Sequence, residues 1–161
     1  MERLAIYPGT FDPITNGHLN VLERSCRLFD HVYLTIAVNS RKTPLFTLEE
    51  RRELILESTK HLSNVSVETF DGLLVRFAEE KNAISIVRGI RQVTDFEYEF
   101  QIAMMNHKLS PEIITVFLMP NEKYTYLNSS IIREVSRLGG NISDLVPPPV
   151  LKQLQLKFKR G

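Results

Sequence analysis

Thr10, Gly17 and His18 are the residues of this chain best suited to chemistry on phosphate. They sit in Tyr7-Pro8-Gly9-Thr10-Phe11-Asp12-Pro13 and Thr15-Asn16-Gly17-His18, a Gly-bearing loop that runs into a helical pattern (Leu19, Leu22, Cys26, Phe29). Loop N–H groups and the positive end of a helix attract negative oxygens, and Thr10 and His18 add side-chain donors at the same spot. A histidine at a helix start often does no more than cap it. This one follows a glycine and faces a strand-end loop holding a threonine, which favours donation to a phosphate oxygen as charge builds there. Gly9 and Gly17 let backbone approach a ligand closely.

Other stretches reinforce the anion reading. Arg88-Gly89-Ile90-Arg91 follows an apolar run, and arginine's planar fork matches phosphate oxygens, so anion contacts outweigh the alternative of two solvated surface residues. Arg41-Lys42 is weak by itself, but its place at the same sheet edge makes Lys42 a candidate phosphate contact. Tyr124-Thr125-Tyr126-Leu127-Asn128-Ser129-Ser130 ends in three good N-caps, of which one helix needs one; the rest form a second phosphate nest. Glu99 lies near the start of a helix spanning Asp95–Asn106, where it would be a solvated dipole partner by default or, close to the two arginines, would bind a nucleotide or orient Arg91. On that helix Phe96, Phe100, Ala103 and His107 share one face and Tyr98, Ile102 and Met105 another. Two apolar faces imply cover by the sheet and by something else, such as another subunit.

Alternating elements must hold these groups. Leu4–Tyr7, Val32–Val38, Val65–Val67, Ile84–Val87 and Ile113–Met119 read as strands. Between them come helical patterns: one from Thr47-Leu48-Glu49-Glu50, a capping-box signature, to about Lys60; one over Leu73–Glu80; and one from a second box at Thr94-Asp95-Phe96-Glu97 to about Leu109. Helices then begin near Ser129 and near Val150, the last after the stiff Pro147-Pro148-Pro149. This order predicts a single α/β domain over residues 1–161. It is a dinucleotide-binding-like (Rossmann-like) parallel five-stranded sheet with helices on both faces, and its ligands bind beyond the carboxyl ends of the strands.

Composition narrows the partners. Twenty basic against nineteen acidic residues give a net charge of +1, which opposes a bulk polyanion partner and disfavours a nucleic-acid binder. One cysteine, Cys26, excludes an internal disulfide and a Cys-based zinc site, and its place on an apolar stripe favours packing. His31, His61 and His107 share no ligand spacing and read as structural or surface residues. Without a secretory pattern or a membrane-length apolar run, the expectation is a cytoplasmic protein without a membrane partner.

The N-terminal loop, the Arg-Gly-Ile-Arg turn and the Asn-Ser-Ser helix start together resemble the nucleotidylyltransferase superfamily. That superfamily carries His-x-Gly-His and Ile-Ser-Ser-x-x-x-Arg/Lys signatures. Threonine stands for the first histidine here, at Thr15. With Tyr-Pro-Gly-Thr-Phe-Asp-Pro, Arg-Gly-Ile-Arg and Asp-Phe-Glu-Tyr-Glu, the pattern is similar to that of the bacterial phosphopantetheine adenylyltransferases over essentially the whole chain.

The resemblance implies adenylyl transfer from ATP to 4′-phosphopantetheine, giving dephospho-coenzyme A and pyrophosphate. It also implies a Mg²⁺ requirement met mainly by ATP phosphates with no protein metal site, a homohexamer, and feedback inhibition by coenzyme A. By the same resemblance Thr10 and Lys42 hold the acceptor phosphate, and His18 binds ATP phosphate and stabilises the transition state. Arg88 contacts the pantetheine substrate, Arg91 the triphosphate and Glu99 the ATP. Phe11, Gly89 and Ile90 complete the ATP contacts, Tyr124 to Ser130 line the adenine and triphosphate pocket, and Leu73 and Leu74 pack against the pantetheine arm. Asn128 stands where the family usually has serine, and Gly72 where some relatives have an acidic residue. Rival readings are transfer to another acceptor, such as nicotinamide mononucleotide or glycerol 3-phosphate, and a nucleotide-binding module without catalysis.

Overall fold

A computed structural model describes residues 1–38 and 43–159. Five parallel strands form one sheet in the order β3-β2-β1-β4-β5: β1 Leu4–Gly9, β2 His31–Ala37, β3 Val65–Phe70, β4 Ser85–Gly89 and β5 Ile114–Leu118. The helices are α1 Asn16–Cys26, α2 Leu48–Ser58, α3 Leu74–Glu80 and α4 Val93–Leu109 between the strands, then α5 Ser129–Arg137 and α6 Pro148–Phe158 after β5. The expected α/β arrangement is the one observed.

Side chains of β1 alternate between two cores, as the strand's period of two requires. Ala5 and Tyr7 join the larger core with Val21 and Leu22 of α1, Leu54 and Ile55 of α2, Ile132 of α5 and Leu154 of α6. Ile6 faces the other way, onto Ile86 and onto Val75 and Ala78 of α3. Helices therefore cover both faces, which explains the continuous apolar runs of the inner strands.

The strand order reverses between β1 and β4, where open α/β sheets place their ligands. Pairing of β1 with β2 continues to Gly9↔Ile36, whereas pairing of β1 with β4 is confined to Ala5↔Ser85 and Ile6↔Ile86. Beyond Ile6 the two strands part and a cleft opens.

Helix starts only partly follow the expected signatures. The box at Thr47 forms: its hydroxyl accepts from Glu50 N at 3.2 Å and Glu50 accepts from Thr47 N at 2.8 Å. The box at Thr94 does not. α4 begins at Val93, so Thr94 stands inside its first turn rather than at the N-cap; Gln92 makes no side-chain cap, and the Asp95 carboxylate takes the Arg91 N–H at 3.2 Å. The proline run starts α6 rather than preceding it, with Pro148 and Pro149 in a first turn that needs no N–H donors. Cys26 is half-buried against the larger core, and burial pushes its thiol up to about 11. His31 bonds Ser66 and His61 bonds Glu23, as structural or surface residues would.

Candidate active site

His18 is both a cap and a presented donor. It occupies the third position of α1, and its own N–H donates to Thr15 Oγ1 at 3.3 Å. In return the Thr15 N–H donates to His18 Nδ1 at 3.0 Å. That bond needs a lone pair on Nδ1, so the ring proton sits on Nε2. The Phe11 ring meets the imidazole edge-on at 5.1 Å. Burial, and then the nearby Arg91 cation, lower the His18 pKa to about 4. At neutral pH the ring is an uncharged Nε2–H donor on the cleft wall.

Arg88 at the end of β4 and Arg91 just after it are both locked by carboxylates from α4. Arg88 donates from Nε and Nη2 to the two oxygens of Glu99, each at 2.7 Å, and from Nη1 to the Pro8 carbonyl at 3.4 Å. Burial works against the Arg88 cation, but the bonds to Glu99 outweigh it and hold its pKa above the ordinary value. Arg91 donates from Nε to Asp95 at 3.3 Å and from Nη1 to the Leu127 carbonyl. Glu99 therefore orients Arg88, correcting the expectation that it orients Arg91; Asp95 has that task. Tyr7 lines the same cleft, its phenol kept protonated chiefly by burial against the pull of the Arg88 and Arg91 cations.

The loop after β1 is tied down from behind. Thr10 O accepts from Arg51 Nη1 at 2.9 Å, Asp12 O from Arg133 Nη1 at 2.6 Å, and Pro13 O from Ser129 Oγ at 2.9 Å. The Asp12 carboxylate accepts the N–H groups of Leu45 and Phe46, both at 2.9 Å, fastening the chain before α2 to this loop. The Asn128 side chain caps α5 by accepting from Ile131 N at 2.8 Å, so the departure from serine preserves the cap. No acidic residue stands in the first turn of α1 or α5, unlike α2 and α4. The two helix starts at the cleft keep their positive ends uncompensated.

The cleft measures about 230 Å³ and lies at the β1/β4 parting. Of the expected residues it brings together Phe11, His18, Arg88, Gly89, Arg91, Glu99, Leu127 and Asn128. Thr10 is exposed beside Gly9 and Phe11. Ile90 donates to Leu118 O at 2.9 Å and extends the sheet. Tyr124 backs Gly17, Thr125 bonds Glu122 O, Tyr126 is exposed, and Ser130 accepts from Arg133. Leu73 is exposed and Leu74 packs on the smaller core, so neither lines the cleft. Arg41 and Lys42 lie outside the described residues. Tyr7, Val21 and Pro120 line the cleft without having been expected there: the first two read as core of a strand and a helix, and Pro120 as the chain just past a strand.

A strand-end cleft with a neutral histidine donor, two clamped arginines and two helix N-termini defines a nucleotidylyltransferase. Residues 6–135 match the cytidylyltransferase-like family model. The chain shares the fold of a crystal structure from Vibrio parahaemolyticus, of a protein proposed to be a nicotinate-nucleotide adenylyltransferase. The TM-score is 0.72 at 22% identity, covering 100% of this chain and 98% of the other. It is 52% identical over 161 residues to the phosphopantetheine adenylyltransferase of Thermodesulfovibrio yellowstonii, covering 99% of this chain and 100% of that protein. It is 49% identical to that of Caldanaerobacter subterraneus subsp. tengcongensis, covering 99% of each. The chain belongs to the phosphopantetheine adenylyltransferase family.

Proposed function

We propose that this protein transfers the adenylyl group of ATP to 4′-phosphopantetheine, giving dephospho-coenzyme A and pyrophosphate in coenzyme A synthesis. The observation that carries the reading is His18, an uncharged Nε2–H donor on the wall of a cleft that also holds Arg88 and Arg91. An oxygen of the acceptor phosphate attacks the α-phosphorus, and the bond from that phosphorus to the bridging oxygen of pyrophosphate breaks. The attacking oxygen is already anionic at neutral pH, so the reaction needs no general base. The protein's task is to hold two anions in line and to meet the charge that grows at the α-phosphate. His18 donates there, Arg91 faces the triphosphate with the helix start at Asn128, and Arg88 faces the acceptor with Thr10 and Lys42.

The site fits a Mg²⁺ ion carried by the nucleotide. Glu99, Asp95 and Asp12 are engaged by Arg88, by Arg91 and by the Leu45 and Phe46 N–H groups. Among the described residues no three metal-ligating side chains cluster. Triphosphate oxygens would hold the ion, which supplies charge neutralisation when bound. Coenzyme A contains both halves of the product, so the same cleft would take it as an inhibitor.

A homohexamer is supported by α4, on which Phe96, Tyr98, Phe100, Ile102, Met104 and Met105 are all exposed in the single chain; native mass spectrometry checks it. No described helix is long and apolar enough to cross a membrane, and the reaction would take place in the cytoplasm.

The deciding experiment measures Mg²⁺-dependent pyrophosphate release from ATP with 4′-phosphopantetheine, nicotinamide mononucleotide and glycerol 3-phosphate in parallel. Release with phosphopantetheine alone is expected. Release with another acceptor alone would overturn the substrate, and binding of ATP without release from any would leave a binding module.

A further inference from the structure

Arg51 is a buried cation that the reaction does not use directly. It sits on α2, only 6% exposed, and its Nε finds no hydrogen-bond partner among the described residues. Burial lowers its pKa, and the nearby Asp12 carboxylate only partly restores it. A desolvated charge with an orphaned donor works against folding, so its presence calls for another explanation. The one bond its guanidinium makes among the described residues is informative. Arg51 Nη1 donates to the carbonyl of Thr10 at 2.9 Å, from behind the loop.

A trans peptide places its C=O and N–H on opposite sides. Pulling the Thr10 carbonyl toward α2 therefore turns the Phe11 N–H away from Arg51. That N–H has no acceptor among the described residues, and Phe11 lines the cleft beside Gly9 and His18. Phe11 itself has φ +49°, a left-handed conformation that a bulky residue adopts only when its surroundings impose it. The arrangement has the form of a preset oxyanion donor: a strained residue, an unpaired N–H, and a cation fixing the preceding carbonyl.

We propose that Arg51 is a positioning residue for adenylyl transfer, holding the Thr10–Phe11 peptide so that the Phe11 N–H donates to a phosphate oxygen in the cleft. This rests on the function proposed above. Arg51 touches no substrate; it acts through the peptide. Its neighbours extend the same device, with Arg133 holding the Asp12 carbonyl and Ser129 the Pro13 carbonyl.

The test compares Arg51→Met, which keeps bulk but removes charge and donors, with Arg51→Lys, which keeps the charge and one donor. Steady-state kinetics, Tm and the amide spectrum of ¹⁵N-phenylalanine-labelled enzyme are recorded for each. Misplacing a reacting group by about 1 Å costs on the order of 100-fold, so Arg51→Met should lower kcat by roughly 10- to 100-fold, with Arg51→Lys recovering most of it. In wild-type enzyme ATP should move the Phe11 amide proton downfield, and in Arg51→Met it should not.

A Phe11 amide unmoved by ATP in an active wild type overturns the proposal whether or not the methionine variant folds. Wild-type kcat in Arg51→Met overturns it, and so do equal losses in both variants that merely track Tm. An inactive wild type overturns the underlying function, and the role of Arg51 with it.

Discussion

Replacing His18 tests the chemistry most directly, because the structure fixes its charge state as well as its position. The Thr15 N–H occupies Nδ1 at 3.0 Å, which leaves one N–H, on Nε2, for the α-phosphate. Losing one donor to developing charge costs about 100- to 1,000-fold in kcat, or roughly 2.7–4 kcal/mol. His18→Ala should fall by that order in pyrophosphate-release assays while circular dichroism stays unchanged. With a pKa lowered to about 4, the ring stays uncharged across the working range. At pH 5.5 an ordinary histidine would be about 90% protonated and this one about 3%. Followed by NMR in the free enzyme, the His18 ring should therefore show no titration near pH 6.5.

Stability carries the opposite mark of the same shift. As pH falls below 6.5 the unfolded chain takes up a proton at position 18 that the folded chain refuses until about pH 4. Stability is therefore lost across that window, by about 3 kcal/mol at its acid end. His18→Asn should abolish that part of the acid dependence of Tm. An imidazole titrating near 6.5 by NMR, a proton found on Nδ1, or wild-type kcat in His18→Ala would each refute the reasoning.

Three further outcomes follow from contacts in the structure. Glu99→Ala strips Arg88 of both 2.7 Å bonds and leaves a half-buried cation, so it should lower stability by about 2–3 kcal/mol in urea melts. Its KM for the acceptor should rise more than its KM for ATP. A Cβ on Gly9 would come within 2.8 Å of the Phe11 ring tip, whereas one on Gly17 meets nothing nearer than 3.5 Å. Gly9→Ala should thus displace the ring that packs on His18 and lower kcat, while Gly17→Ala should keep a near-native Tm; equal Tm and kcat in both would contradict this. Thr47→Ala removes the cap of α2 and should lower stability by about 1 kcal/mol in urea melts.

Where the sequence was legible, short-range rules were enough. Apolar runs of three to seven residues separated by helical patterns specify a parallel sheet, and the sheet places every strand-end loop on one side. His18 and Arg88 through Arg91 were found because glycine beside a potential donor after a buried run is a local signal. Partner choice was not local. Asp95 and Glu99 are one turn apart on α4, and which arginine each takes depends on where that helix crosses the end of β4. The box at Thr94 does not form because the helix starts one residue earlier, at Val93, which puts Thr94 inside the first turn. Tyr7 and Arg51 escaped notice because each sits in an element whose pattern explains it without function: a buried strand for one, a charged helix for the other. Leu73 and Leu74 carried an assignment that rested on resemblance alone, and the cleft does not include them.

The pairing of every cleft arginine with a carboxylate looks at first like a poor way to bind phosphate. The donor arithmetic says otherwise. A guanidinium has five N–H groups. Arg88 gives two to Glu99 and one, at 3.4 Å, to Pro8 O, so two remain. Arg91 likewise keeps donors beyond those taken by Asp95 and Leu127 O. The carboxylates act as fixtures: they set the plane of each fork and leave one edge open, so a phosphate arriving there meets donors that need no reorganisation. Lysine at either position would keep the charge and lose the fixture, because an ammonium cannot serve a carboxylate and a phosphate along two defined edges. Arg88→Lys and Arg91→Lys should therefore resemble the alanine variants in kcat more than the wild type, and near-wild-type rates for both would show that charge alone suffices.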